Sequence, residues 1–213
     1  EIAGLIADGV VLVCRSGQRA GTAEKALRNA GMTDVRILDE SEALARVTTV
    51  FAFGATRESK VAHDLLAMPK VPGPDKVGAF RKEGGDTRPG FWNNFETRLA
   101  AGGKLFDLSA ERPEFSTWTR FLDVDGADPV TALLAIADCL PPAAMVHFPQ
   151  PAPISTITWT VDIAHTPQRF DGWHLLWSSS EQAGEGYSLQ NMAMWTESGE
   201  LIAVGRQTIA IFA

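Results

Sequence analysis

The stretch that most restricts the fold is one helix signal followed by a run of long strand signals. Asp128 and Pro129 open the helix. The Asp carboxylate accepts from the orphan N–H groups of a first turn, and Pro in the first helical position gives up a donor that has no partner there. Residues 130–140 are then apolar almost all round, with Leu133, Leu134, Ile136, Ala137 and Leu140, so this helix must be wrapped by other structure. Pro141-Pro142 stop it. Residues 156–164, 173–181 and 187–195 read as strands, Glu197-Ser198-Gly199 as a tight turn, and 201–212 as a last strand. Upstream, 91–99 and 117–124 are strand candidates in which Trp92, Phe95, Trp118 and Phe121 supply apolar surface. This order predicts an α+β chain, an antiparallel sheet packed on a central helix.

Such a fold needs a sizeable core, and 213 residues of which 45% are hydrophobic provide one. The net charge of -7 comes with no basic run, which argues against nucleic acid and against an anionic membrane as partners. Two cysteines, Cys14 and Cys139, are too few for a disulfide framework, and no apolar run reaches the length of a spanning helix, so a reducing, cytoplasmic setting is expected. Glu1 opens the chain with no charged-then-apolar leader, so no signal peptide is expected, and the missing initiator Met admits a fragment. His63, His147, His165 and His174 have no paired zinc spacing, and the glycines match no nucleotide-binding pattern; neither a metal nor a cofactor is expected.

The first third reads differently. Residues 10–13 form a short apolar strand ending in Arg15-Ser16-Gly17, 22–30 have helical composition, Gly31 fits a helix C-terminal cap, and 35–38 fit another strand. Residues 43–53 are a further strand candidate, rich in Val, Thr and Phe. Between 68 and 90 stand Pro69, Pro72, Gly73, Pro74, Gly84, Gly85, Pro89 and Gly90, a density of breakers that excludes a regular element and reads as a linker. The expected divisions are therefore 1–67, a linker 68–90, and a domain 91–213.

The segment Asp128-Pro-Val-Thr-Ala-Leu-Leu-Ala-Ile-Ala-Asp138 resembles the central helix of the second hotdog in bacterial double-hotdog acyl-CoA thioesterases, with Asp138 near its end. Ser155-Thr-Ile-Thr-Trp-Thr-Val-Asp-Ile-Ala164 resembles the strand after that helix, and residues 193–207 resemble the family's last hairpin. The resemblance implies a complete C-terminal hotdog, an antiparallel sheet wrapped around its helix, preceded by a partial N-terminal one that includes residues 43–54. It also implies a hydrolase of acyl-CoA or a related acyl thioester, a place in fatty acid metabolism, and side-by-side pairing into a homo-oligomer. The family's Gln matches Gln207, and its Ser/Thr falls at Ser180. Its Asp position holds Thr158, which cannot act as a general base near neutral pH. Asp162, four residues along the same strand, or Asp138 on the helix would then supply the acid. By analogy, oxyanion donors are expected among the backbone N–H groups of residues 128–131, where the helix begins. Trp159, Trp173, Trp177 and Trp195 line either an acyl slot or the core.

A second resemblance covers about residues 1–38. Val10-Val-Leu-Val-Cys-Arg-Ser-Gly-Gln-Arg19, with the helix and strand after it, resembles the active-site half of a rhodanese-like sulfurtransferase domain. It implies Cys14 as a sulfur carrier in a cradle of N–H groups, with Arg15 and Arg19 beside it. Residues 1–38 are thus either hotdog strands whose composition imitates that loop or a sulfurtransferase-derived piece joined to the hotdog. Three functions are consistent with the sequence: thioester hydrolysis, acyl-thioester binding or assembly without catalysis, and sulfur transfer at Cys14.

Overall fold

The computed structural model describes residues 58–80 and 90–212, together with the backbone of 10–12 and 35–37. The chain divides into two units, residues 1–62 and 63–213. In the first, β1 (Val10–Leu12) and β2 (Val35–Ile37) pair in parallel, with Val10 opposite Val35 and Leu12 opposite Ile37. Cys14, Arg15 and Arg19, the helix expected over 22–30 and the strand expected over 43–53 lie outside the described residues.

The second unit holds β3 (Phe95–Gly102), β4 (Glu114–Phe121), α1 (Pro129–Ala137), β5 (Ile154–Ile163), β6 (His174–Gly184), β7 (Tyr187–Thr196) and β8 (Leu201–Ile211). The six strands form one antiparallel sheet in the order β3-β4-β6-β7-β8-β5. The expected α+β arrangement over 91–212 is what the chain adopts.

The helix starts where Asp128 and Pro129 dictate. The Asp128 carboxylate accepts from the Val130 and Thr131 amides, both at 3.0 Å. Ala132, Leu133 and Ile136 are buried against Leu176, Met194 and Ala203, which lie side by side on β6, β7 and β8. Phe95, Phe121 and Val161 pack against this cluster, so all six strands contribute to the core that holds the helix. Full burial of Leu133 and Ile136 stabilises the fold by about 1.5–3 kcal/mol each. Tight turns sit where the sequence permits positive φ: Glu185 (50°) and Gly186 (79°) join β6 to β7, and Gly199 (93°) joins β7 to β8.

The opposite face of the sheet carries Trp118, Leu175, Ala193 and Trp195. The segment read as a linker lies across it, as far as residue 80. Met68, Val71 and Val77 pack on those side chains, while the Trp195 and Trp118 indoles donate to the carbonyls of Leu66 (3.1 Å) and Pro72 (2.7 Å). Arg98 donates to the Pro74 carbonyl at 2.8 Å, and Phe80 and Gly78 bond to Thr97 and Leu99 of β3. Breakers do exclude a regular element here, apart from one short turn at Pro74–Lys76. They do not prevent docking, because side chains of the sheet donate to the segment's carbonyls and the backbone of residues 78–80 pairs with β3.

Candidate functional site

Polar side chains on the helix-facing side of a sheet are costly unless hydrogen-bonded, and one cluster of them is buried here. Ser180, Gln190, Gln207 and Trp159 are consecutive neighbours across β6, β7, β8 and β5. Gln190 is 1% exposed and Gln207 6%. Their amides form a directed chain. The Ala143 amide donates to Gln190 Oε1 at 3.0 Å, Gln190 Nε2 donates to Gln207 Oε1 at 2.6 Å, and Gln207 Nε2 donates to Thr156 Oγ1 at 2.8 Å. The chain is anchored at Ala143, the first residue of the 3-10 turn Ala143–His147 that follows Pro141-Pro142. It ends on exposed Thr156, whose own hydroxyl hydrogen is left to donate outward. Beside it, the Ser180 and Ser188 hydroxyls share a hydrogen bond of 2.9 Å, and both are buried.

Gln207 and Ser180 are therefore brought to the same face, either side of Gln190. Thr158 and Asp162 are not. The register shifts between Thr156 and Thr158, so the alternation resumes out of phase: Thr156 opposes Ile209, but Thr158 opposes Thr208 and Asp162 opposes Val204. Both residues are exposed, and Thr156 occupies the place beside Gln207 that the sequence reading gave to Thr158. Thr158 and Asp162 do share a face, as period two requires, but it is the one away from Gln207.

The expected oxyanion donors at the helix start are also committed elsewhere, since Asp128 takes the Val130 and Thr131 amides. It is the other end of α1 that borders the polar chain. An apolar cleft lies there, lined by Ala137, Leu140, Trp159, Val161, Met192 and Gly205 among others. Asp138 caps the helix between Ala137 and Leu140. The residue keeps solvent access, yet partial burial of its carboxyl raises the pKa above the ordinary Asp value. Of the four tryptophans, Trp159 and Trp177 line this cleft, while Trp173, Trp195 and Trp177 belong to the cluster beneath the 63–80 segment. Gln190 and Thr156 are the residues the sequence reading missed. Gln190 was detectable, because it stands in phase with Met192 and Met194 on β7.

The arrangement can hold a water or a carbonyl with fixed amide and hydroxyl groups, next to a slot for an apolar chain. Among the described residues no group of three or more His, Cys, Asp or Glu is placed to hold a metal ion, and no helix is long and apolar enough to cross a membrane.

The family model for the acyl-CoA thioesterase C-terminal domain matches residues 67–211, more than half of the chain. No curated protein sequence matches it. Among solved structures, a hotdog-fold protein of unknown function from Alicyclobacillus acidocaldarius is 28% identical with a TM-score of 0.62; the match covers 76% of this chain and 60% of that one. An acyl-CoA thioesterase II, TesB2, from Mycobacterium marinum is 22% identical with a TM-score of 0.56, over 74% of this chain and 60% of that one. The fold of the second unit is the hotdog fold. The chain spans about three fifths of the length of these structures.

Proposed function

The chain belongs to the acyl-CoA thioesterase C-terminal domain family, and from that premise we propose that it hydrolyses an acyl-CoA or a related acyl thioester. The observation that carries this reading is the buried chain from Ala143 through Gln190 and Gln207 to Thr156, set beside an apolar cleft. A core bears such a cost where the fixed dipoles are used, and here they would position the attacking water. Gln207 orients it, Thr156 and Ser180 complete the polar surround, and Asp138, whose carboxyl burial makes a better base, accepts its proton. Thr158 and Asp162 take no part.

Hydrolysis of an acyl-CoA panel tests this. Gln207→Ala should lower kcat/KM by a factor on the order of 10² with the fold intact, and Asp138→Asn should abolish the rise of activity with pH. Turnover indifferent to both changes would dismiss the assigned site.

A second reading rests on the lack of a carboxylate within the hydrogen-bonded chain itself: the domain would then bind acyl thioesters without cleaving them. Tight binding with no turnover in the wild-type would favour it. For residues 1–38, the parallel pairing of β1 and β2 is the arrangement that a strand–helix–strand unit produces, and it keeps sulfur transfer at Cys14 open. Thiosulfate:cyanide transfer that survives Cys14→Ser would remove that option.

The proposal extends to assembly and setting. Among the described residues β5 pairs on one side only, with β8, and all ten of its residues are exposed or half-buried. A second copy of the chain is the proposed occupant of that edge, and a cytoplasmic location is proposed from the cysteine usage.

A further inference from the structure

Acyl transfer from a thioester needs a donor aimed at the carbonyl oxygen as well as a positioned water. The helix-start amides are taken by Asp128, and Gln207 Nε2 already donates to Thr156. Two buried side-chain donors near the cleft have no hydrogen-bond partner, the Ser178 hydroxyl and the indole N–H of Trp159, and of these two only Trp159 lines the cleft. Trp159 is the cross-strand neighbour of Gln207, and its ring lines the cleft together with Ala137, Leu140 and Met192. Its nitrogen lies over Gly205, where a Cβ would be in ordinary van der Waals contact with Nε1 at 3.6 Å. Proteins rarely leave a buried N–H unmatched, and those that persist call for an explanation.

We propose that the Trp159 indole N–H holds the carbonyl oxygen of the acyl thioester. The inference rests on the hydrolase reading above and names the donor that reading lacks. Water oxygen bonds to the carbonyl carbon as one C=O electron pair moves onto oxygen, and the indole N–H meets the charge that forms there. Collapse restores C=O and breaks the C–S bond. The departing thiolate takes the proton that the water gave up, leaving a carboxylic acid and a thiol. Gln207 then serves the water, and Trp159, its neighbour on β5, serves the carbonyl.

Trp159→Phe keeps an aromatic ring in the cleft and removes the donor. It should lower kcat on the order of 10²-fold while KM changes little. Two non-hydrolysable CoA ligands separate the donor from the ring: a ketone analogue with CH2 in place of the thioester sulfur, and an alkyl thioether with no carbonyl. Trp159→Phe should weaken the ketone several-fold and leave the thioether unchanged. Equal loss for both ligands, or a wild-type kcat, overturns the proposal. If the Phe variant melts early, benzothienylalanine at position 159 keeps the bicyclic shape without the N–H and should give the same split. Wild-type protein that discriminates ketone from thioether through Trp159 yet cleaves nothing would sink the hydrolase reading and leave the carbonyl contact standing.

Discussion

His174 shows how one side chain sets a pH limit on the fold. It is 3% exposed at the start of β6 and stacks on Phe170 with ring centroids 5.1 Å apart. Burial lowers its pKa from 6.5 to about 4, which the Gly172 backbone and the Asp171 carboxylate oppose only in part. The unfolded chain therefore takes up a proton below pH 6.5 that the folded chain refuses. The stability is fully present above 6.5 and is lost as pH falls toward 4, by roughly 3 kcal/mol in all. Urea unfolding of the wild-type should show this slope between those limits, and His174→Gln should flatten it. A second residue-scale expectation concerns Gln190. Truncation to Ala strands the Ala143 N–H and the Gln207 Oε1 in the core, at a cost of about 1–3 kcal/mol for each group left unsatisfied. Chemical denaturation of Gln190→Ala should register that loss, together with weaker turnover because Gln207 is no longer held. The sequence offered Gln207 and Ser180 through a family resemblance. The residue beside Gln207 is Thr156 rather than Thr158 because of the register shift between them, which follows from pairing with β8, and nothing in Ser155-Thr-Ile-Thr158 announces it.

Among the elements, helix and strands were legible because their signals are local. Asp128-Pro129 opens α1, which ends at Ala137 with Asp138 as its cap, short of the stop expected at Pro141-Pro142, and apolar runs with turn residues between them bound β6, β7 and β8. The segment 63–80 was not, since its role depends on donors that arrive from 46 and 129 positions away. Arg98 adds a further tie. Glu96 bridges Arg98 and Arg120 with contacts of 2.6–2.9 Å, both guanidinium groups stack on Trp173 at 4.9 and 4.6 Å, and Arg98 also reaches the Pro74 carbonyl. Burial alone would raise the Glu96 carboxyl, but these two arginines hold it below its usual value. The segment is thus a structural part of the domain, in line with a family match that begins at residue 67. A chain trimmed to 63–213 should express as a folded, cooperative unit. One trimmed to 91–213 bares Trp118, Leu175 and Trp195 and should aggregate. Light scattering and thermal melts of the two distinguish them; equal behaviour would return the segment to a linker.

At the scale of the whole molecule, the edge of the sheet decides what else is needed. Strand β5 runs for ten residues without a Pro, carries Asp162 as its one charge, and exposes Ile154, Ile157 and Ile163 at 37%, 54% and 39%. A strand edge left unpaired among the described residues is a template for further pairing, and proteins cover such edges or blunt them with charge or with a bulge such as the one between Thr156 and Thr158. Because the chain can meet its own copy in antiparallel register, a two-fold pair covers both edges with a single self-complementary contact. That contact would also close over Thr156, the open end of the polar chain, so assembly and activity should fall together. Sedimentation equilibrium at micromolar concentration is expected to give a dimer. Ile157→Lys, which places a charge on the edge without touching Gln207 or the core, should yield folded monomers with reduced thioester hydrolysis. A wild-type monomer over the whole concentration range, or a monomeric variant of undiminished activity, would separate the edge from the function and leave its cover to be sought in another chain.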